Sequence, residues 1–463
     1  KGAQKADDTN DIIGHVSNTG TIDAKGDILL STKNGYVNNQ RQITSAEGSV
    51  TMEAKKAKSH TGEEVIGDIY NVGESGSTQE TAIKAKKGIH ISTDYDFVNA
   101  GDYEVTGEGA IDITINRHFI NSGAMATTKG DVTITSIDGG IFNYETGDIA
   151  TKDGNVTLHT QSKDADMWYL DETGEWLKVT KLNLKNVTTD ENGDKYYTID
   201  DKKHWVSEDG SISNAGDIIA NGKITLKSDN GNVTNYDDLS TPGNGKAETT
   251  GDIELSAANG MLYNKHDLEA GENITLVAKA GLQNFSYNIY AGKNITLHAT
   301  DGDIDNTSVL ESVAGDVMLL ADNGNITNGK EGSKNSGNIA TLGGSVRLEA
   351  KGSTKDTITG KDIGHYVKNY GDIVAIGDTV GDTEGSGSIT LKSEYGDVYN
   401  YDDFNTVGEN DSEEYQYEKK NHLSVTGTFA PSYNAATSNI EISAANGKVY
   451  NYKKYLVALG NVS

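Results

Sequence analysis

The chain has 463 residues and a net charge of −29, from 40 basic and 69 acidic side chains. Such an acidic surface repels phosphate backbones and anionic lipids, which argues against nucleic-acid binding and membrane-surface binding. Cysteine is absent, which excludes disulfides and cysteine metal sites. No apolar run reaches the roughly 20 residues of a membrane-spanning helix, so we expect no membrane insertion.

The chain opens with Lys1 rather than methionine, and we interpret it as a piece of a longer or processed protein. A short motif then recurs from one end to the other. Copies begin at Gly251, Gly271 and Gly292 with glycine and an alternating Ile-x-Leu, and each closes on an apolar residue, a variable residue and asparagine. Where no loop intervenes, the closing asparagines stand 20 to 22 residues apart, and they form this series: Asn18, Asn38, Asn71, Asn99, Asn121, Asn143, Asn214, Asn235, Asn264, Asn284, Asn306, Asn328, Asn369, Asn400 and Asn451.

Within a repeat, apolar and polar residues alternate, as in Ile253, Glu254 and Leu255. A period of two is typical of short strands with one buried face. The repeat therefore predicts an all-β chain: a right-handed parallel β-helix (solenoid) of about 15–19 coils over residues 1–463, with loop and β-hairpin insertions. We expect the amides of the series to bond from coil to coil as a structural ladder, which includes Asn235, Asn264, Asn284, Asn306, Asn328, Asn400 and Asn451.

Two segments interrupt the repeat. Residues 161–209 contain all three tryptophans, Trp168, Trp176 and Trp205, and their turn signals predict hairpins in an inserted β excursion. Because the tryptophans lie off the repeat, they are candidate ligand-binding residues, although they also suit the core of a small subdomain. Residues 404–438 are predicted to form an acidic loop insertion.

Paired carboxylates at Asp237-Asp238 and Asp402-Asp403 invite comparison with the acid–base pairs of β-helical polysaccharide lyases and hydrolases. Both pairs follow a ladder asparagine within one longer duplicated stretch, so we interpret them as repeat-encoded loop charges. The histidines lack metal-ligand spacing, and no arginine stands beside an aspartate cluster. We therefore predict no catalytic site, no metal and no cofactor; the three arginines are Arg41, Arg117 and Arg347.

Two further patterns have alternative interpretations. Asp301, Asp303 and Asp305 alternate as the ligands of a calcium loop do, but no distal glutamate follows, which favours a solvated turn. Tyrosines flank many ladder asparagines and form either a stacking strip for a glycan or partner, or a surface ladder that only stabilises the solenoid. We favour the stabilising ladder; the tyrosines are Tyr70, Tyr236, Tyr263, Tyr399, Tyr401, Tyr450 and Tyr452.

Segments such as Gly292-Lys-Asn-Ile-Thr-Leu-His-Ala and Gly315-Asp-Val-Met-Leu-Leu-Ala resemble the repeats of filamentous-haemagglutinin-like exoproteins of two-partner secretion systems. The resemblance covers nearly the whole chain outside the insertions, although the Asn-Pro signature of the family's secretion domain is absent. It implies export through an outer-membrane secretion partner and an extracellular or cell-surface location on a bacterium.

The resemblance also implies a function in adhesion. We expect a non-catalytic adhesin fibre segment whose loops contact an unknown receptor, a glycan or protein of a host or bacterial surface. The alternatives are the stalk of a contact-dependent inhibition toxin, a β-helical polysaccharide lyase or hydrolase, and a purely structural filament.

Overall fold

The structure is a computed structural model. It describes these residues: 2–5, 12–58, 64–65, 67–72, 82–163, 167–170, 176–178, 187–189, 195–199, 202–208, 210–242, 251–333, 336–341, 343–355, 361–375, 387–402, 404–405, 439–452 and 456–457. The chain divides into two units, residues 1–286 and 287–463.

The first unit is built from three parallel sheets, to which each coil contributes one short strand. The first sheet contains Ile12–Asn18, Val37–Asn39, Ile69–Asn71, Phe97–Asn99, Phe119–Asn121, Ile141–Asn143, Ile212–Asn214, Val233–Asn235, Met261–Asn264 and Gly281–Asn284. The second contains Ile22–Ala24, Ile43–Ser45, Ile83–Ala85, Tyr103–Val105, Met125–Thr127, Ile149–Thr151, Ile218–Ala220, Leu239–Thr241 and Leu268–Ala270. The third contains Ile28–Thr32, Ser49–Ala54, Gly88–Thr93, Ile111–Ile115, Val132–Ser136, Val156–Thr160, Ile224–Ser228, Ile253–Ala257 and Ile274–Ala278.

The second unit repeats this arrangement. Its first sheet contains Ile304–Asn306, Ile326–Asn328, Val367–Asn369, Val398–Asn400 and Val449–Asn451. The second contains Asn288–Ala291, Val309–Ser312, Ile339–Thr341, Ile373–Ala375, Phe404–Asn405 and Leu456–Val457. The third contains Ile295–Ala299, Val317–Ala321, Val346–Ala350, Ile389–Ser393 and Ile440–Ala444.

Short antiparallel strands lie outside the coils. Gly2–Lys5 pairs with the first strand of the first sheet, and two small hairpins join Ala57–Lys58 to Glu64–Val65 and Ser353–Lys355 to Asp362–Gly364. The described residues contain no helix long and apolar enough to cross a membrane.

Equivalent residues of successive coils pair in register. Ile253 is aligned with Ile274 and Leu255 with Leu276, and all four side chains are fully buried, whereas Glu254 points outward. Burial of such an aliphatic side chain contributes about 1.5–3 kcal/mol, so stacked coils share a continuous apolar interior that one coil could not form. This confirms the predicted parallel β-helix; the first sheets of the two units have ten and five strands among the described residues, within the predicted number of coils.

Asparagines at the ends of the first-sheet strands form a ladder in each unit. In the first unit, Nδ2 of Asn99 donates to Oδ1 of Asn121 at 2.7 Å, and Nδ2 of Asn121 donates to Oδ1 of Asn143 at 2.7 Å. Nδ2 of Asn99 and of Asn121 also donates to a backbone carbonyl in the turn, that of Gly101 and of Gly123, both at 2.9 Å. The side chains are buried, so the ladder supplies partners that solvent cannot.

The ladder continues through the remaining predicted members that share a unit. The Nδ2–Oδ1 distances are 2.9 Å for Asn214–Asn235, 3.0 Å for Asn235–Asn264, 2.8 Å for Asn264–Asn284, 2.8 Å for Asn306–Asn328, 2.7 Å for Asn328–Asn369, 3.0 Å for Asn369–Asn400 and 3.0 Å for Asn400–Asn451.

One predicted ladder position is wrong. Asn39, and not Asn38, accepts from Asn18 at 2.7 Å and donates to Asn71 at 2.7 Å. The cause is strand alternation: Val37 is buried, so the residue two positions later is also turned inward, whereas Asn38 lies on the outer side.

Glycines let the turns before the third sheet stack closely. In Lys129-Gly130-Asp131, a Cβ atom added to Gly130 would overlap the carbonyl oxygen of Gly109 in the preceding coil. The same sequence pattern occurs at Lys25-Gly26-Asp27, where no described atom lies within 4 Å of an added Cβ. The difference arises because Gly26 belongs to the first described coil of the stack.

The insertion between Thr160 and Gly210 forms an antiparallel sheet of five strands. Its two outer hairpins pair Trp168 with Lys178 and Val187 with Tyr197. The strands are Met167–Leu170, Trp176–Lys178, Val187–Thr189, Lys195–Ile199 and Lys202–Glu208, in the spatial order second, first, fifth, fourth, third. Apart from the strand Phe404–Asn405, the predicted acidic loop 404–438 lies outside the described residues.

Candidate functional site

The turns that follow the asparagine ladder in the first unit carry a column of aspartates. Asp148, Asp217, Asp238 and Asp267 each immediately precede a second-sheet strand. The register of these strands aligns the four aspartates from coil to coil. Parallel strands lie about 4.8 Å apart, so like charges are held closer together than they would be in the unfolded chain.

This crowding affects the protonation of Asp217. Burial raises the pKa of its carboxyl group, and the nearby carboxylates of Asp237, Asp148 and Asp238 raise it further. A group whose charged form is disfavoured by its neighbours reports a negative potential at that place. This edge of the first unit is therefore suited to attract cationic or hydrogen-bond-donating groups.

A hollow of about 580 Å³ opens beside this column. Aromatic rings of Phe142, Tyr144 and Tyr236 contribute to its wall, and Glu145, Asp237 and His266 supply polar groups. Rings next to carboxylates combine an apolar surface with fixed hydrogen-bond acceptors, which is the usual composition of a site for a polar organic ligand.

His266 joins the acidic column at the rim of the hollow. Its Nδ1 lies 2.5 Å from Oδ1 of Asp238 and 3.9 Å from Oδ1 of Asp237. The hydrogen bond with Asp238 raises the pKa of His266, and the charges of Asp238, Asp237 and Asp267 raise it too, although partial burial opposes them. Lys265 adds positive charge nearby, with Nζ 4.2 Å from the centre of the Tyr236 ring.

One potential ligand atom from each of Asp237, Asp238 and His266 lies within 4.8 Å of the others. Two carboxylates and an imidazole have the donor atoms for a divalent cation. In the described geometry, however, Nδ1 of His266 is already hydrogen-bonded to Oδ1 of Asp238. The sequence prediction treated the two aspartates as a repeat-encoded pair and missed the histidine, although Asp237 and His266 occupy equivalent positions, two residues after Asn235 and Asn264.

The protonation of His266 is a test of this cluster. Because its pKa is raised in the folded state, the ion pair stabilises the fold fully below the unfolded pKa of about 6.5, and this contribution is lost as the pH rises through the folded pKa. We expect Asp238→Asn to lower the titration midpoint of the His266 ring in an NMR pH series. Asp112→Asn, which removes the partner of His90, is the control and leaves that midpoint unchanged. An unshifted midpoint in Asp238→Asn would contradict the pairing.

The other residues weighed as catalytic candidates are not among those that line the hollow. Nη1 of Arg117 lies 3.8 Å from Asp96, and its guanidinium stacks on Tyr95 with Cζ 4.7 Å from the ring centre. Arg347 pairs with Glu349. Arg41 donates to the carbonyl of Gln40 at 3.3 Å. Asp402 lies in a ladder turn of the second unit, where its carbonyl accepts from Asn400, and Asp403 lies outside the described residues.

The acidic triplet of the second unit takes part in contacts between coils. Oδ1 of Asp303 accepts from the backbone and side chain of Asn325, at 2.7 and 3.1 Å, and Asp301 accepts from Asn323 at 3.1 Å. Burial raises the pKa of Asp305, and the charge of Asp303 adds to that effect. These carboxylates thus serve the stacking of turns.

The three candidate tryptophans lie on strands of the inserted sheet. Trp168 is aligned with Ser207, two positions from Trp205, and Trp176 is aligned with Leu170, two positions from Trp168. Because side-chain positions alternate along a strand, this backbone register places positions 168, 176 and 205 on one face of the sheet. The structure thus brings the three positions together on one element, separate from the residues that line the hollow.

No protein-family model, no curated protein sequence and no solved structure matches this chain.

Proposed function

We propose that the chain is a non-catalytic segment of an adhesive fibre that a bacterium secretes or displays on its surface. The supporting observation is how the first unit is built: its interior holds packed apolar side chains and the amide ladder, whereas Tyr144, Tyr236, Asp237 and His266 line a hollow at the surface turns. A scaffold of this kind displays contact residues on its surface and does not enclose an active site.

Export and location belong to the same proposal. The absence of cysteine suits a chain that crosses an outer-membrane secretion partner unfolded and reaches the cell exterior. The net charge of −29 keeps exposed chains soluble and apart. The receptor is then a glycan or protein of another cell surface, contacted either by the hollow or by the inserted sheet.

The test is attachment of beads coated with the purified chain to host cells and to bacteria. We expect Tyr144→Ala combined with Asp237→Asn to reduce attachment at least about fivefold if the hollow is the contact, because the pair removes a ring and a charge from its wall. Tyr395→Ala combined with Asp131→Asn is the control, since both residues are exposed and lie outside the lining of the hollow.

Deletion of residues 161–209 is the second arm and reports on the inserted sheet. Loss of attachment in either arm supports the proposal and locates the contact. Unchanged attachment in both arms, or none by the intact chain, would refute adhesion through these surfaces. Release of cleaved products from uronate polymers in the presence of calcium would refute the non-catalytic assignment.

A further inference from the structure

The outer face of the first sheet in the second unit carries two columns of tyrosines. Tyr399 and Tyr450 occupy the position before the ladder asparagine, and Tyr370, Tyr401 and Tyr452 occupy the position after it. The strand register aligns Tyr399 with Tyr450. Backbone hydrogen bonds from Tyr401 to Asn369 and from Tyr452 to Asn400 hold the second column in step.

The rings within each column are stacked and nearly parallel. Ring centres are 4.5 Å apart for Tyr370–Tyr401, 4.7 Å for Tyr401–Tyr452 and 4.9 Å for Tyr399–Tyr450, with interplanar angles of 7°, 3° and 5°. The two columns are also neighbours, since Tyr399 and Tyr401 lie 6.3 Å apart, as do Tyr450 and Tyr452. Ring faces inside the columns are therefore occupied, so the strip offers ring edges and phenol groups rather than free faces for a sugar.

The phenol groups of neighbouring tyrosines also influence one another. Burial raises the pKa of Tyr401, and the charge of the neighbouring Tyr452 phenol raises it further. The ring carbons beside each phenol oxygen are the carbons at which tyrosyl radicals carry spin density. Stacking with ring centres 4.5–4.9 Å apart and nearly parallel planes brings these carbons of neighbouring tyrosines close together.

A proton acceptor stands at the first column. The hydroxyl of Tyr399 donates to Oδ2 of Asp397 at 2.8 Å, and this hydrogen bond is the main reason why the pKa of Tyr399 is raised to about 12. The phenol is thus protonated at neutral pH, and one-electron oxidation must release its proton. The carboxylate of Asp397 is positioned to take that proton as the electron leaves.

We propose that these five tyrosines are a site of oxidative dityrosine cross-linking between successive coils. The step requires an oxidant outside the chain, a haem peroxidase with hydrogen peroxide. Each of two phenols loses one electron and one proton, and the two radicals join through a new carbon–carbon bond between the ring positions beside the oxygens. Each coupled carbon then loses its hydrogen to the former phenoxyl oxygen, so two tyrosines and one hydrogen peroxide yield one dityrosine and two waters.

Such a bond would join residues that are far apart in sequence. It would link Tyr370 to Tyr401 or Tyr399 to Tyr450, and so close a loop across one coil and its insertion. A cross-link of this kind restricts the unfolded chain, as a disulfide does. The chain has no cysteine and cannot form disulfides, so the tyrosine columns would supply its covalent cross-links.

The first unit contains an internal control. Tyr70 donates to Asp68 at 2.8 Å, the same arrangement as Tyr399 with Asp397, and it lies 6.4 Å from Tyr36. Its ring, however, stands at 78° to that of Tyr36. If a carboxylate and a nearby tyrosine were sufficient for cross-linking, Tyr36 and Tyr70 would also be cross-linked. If cross-linking requires parallel stacking of the rings, they would not.

The test treats the full chain with a haem peroxidase and limiting hydrogen peroxide, and follows dityrosine fluorescence and peptide masses. We expect monomeric product in which peptides containing Tyr399 and Tyr450, or members of the second column, are joined with the loss of two hydrogens. The variant Tyr399→Phe/Tyr401→Phe/Tyr452→Phe keeps the stacked rings but leaves no two tyrosines adjacent in a column. We expect it to lose at least about four fifths of the fluorescence.

Tyr36→Phe/Tyr70→Phe is the matched control and should retain the wild-type fluorescence. Circular dichroism establishes that both variants are folded, and oxidation should raise the thermal unfolding midpoint of the wild type but not of the triple variant. Cross-links that map to Tyr36–Tyr70, cross-links only between molecules, or undiminished fluorescence in the triple variant would overturn the proposal.

Discussion

Replacement of Asn121 by aspartate is expected to destabilise the first unit by roughly 3–5 kcal/mol at neutral pH. The side chain is fully buried and donates to both Asn143 and Gly123. A carboxylate has no hydrogen to donate, so it would face the amide oxygen of Asn143 and the carbonyl of Gly123 with a negative charge. Asn99 would still donate to the new carboxylate, but Oδ1 of Asn143 would lose its donor.

The pH dependence of this variant has a defined sign. Burial raises the folded-state pKa of the new carboxyl group above its unfolded value of about 3.9. The loss of stability is then smallest in acid and grows as the pH rises through the folded pKa. Thermal unfolding followed by circular dichroism at several pH values measures it. Asn34→Asp, at an exposed position, is the control and should change stability little. Equal midpoints for the two variants would contradict a structural ladder.

The second large effect is expected for Gly130→Ala. The new methyl group would overlap the carbonyl oxygen of Gly109, and backbone atoms cannot move aside as a flexible side chain can. We expect a loss of roughly 3 kcal/mol, at the upper end of the range for overpacked positions, because two coils must separate to accommodate one carbon atom.

Gly26→Ala provides a control within the same local sequence. Both glycines stand between lysine and aspartate before a third-sheet strand, but an added Cβ at Gly26 meets no described atom within 4 Å. Its thermal midpoint in circular dichroism should therefore stay close to that of the wild type, while Gly130→Ala falls by several degrees. Similar losses of stability in the two variants would show that the local backbone conformation, and not the contact with the preceding coil, requires the glycine.

The sequence predicted those features that repeat at every coil. The asparagine spacing and the apolar–polar alternation are sufficient to predict a parallel β-helix and the ladder, because each coil must place the same residue over its neighbour. The error at Asn38 shows the limit of spacing alone: both neighbours are asparagines, and only the alternation from buried Val37 selects Asn39.

Contacts between coils were harder to predict. His266 is 28 residues from Asp238 in sequence, so a search for local motifs does not connect them; alignment on the ladder asparagines does. The tyrosine strip was predicted at Tyr399, Tyr401, Tyr450 and Tyr452, but Tyr370 was missed. The parallel orientation of the rings depends on packing. The contacts between side chains of neighbouring coils depend on packing geometry, which a repeat pattern does not specify.

The inserted sheet shows that the stack of coils tolerates a long insertion. Asn143 and Asn214 are 71 residues apart, yet Nδ2 of one lies 2.8 Å from Oδ1 of the other, nearly the same distance as between adjacent ladder members without an insertion. The closure entropy of a loop grows only slowly with its length. The turn after Thr160 can therefore act as a graft point, where a foreign module with closely spaced ends is displayed while the stack beneath it keeps its register.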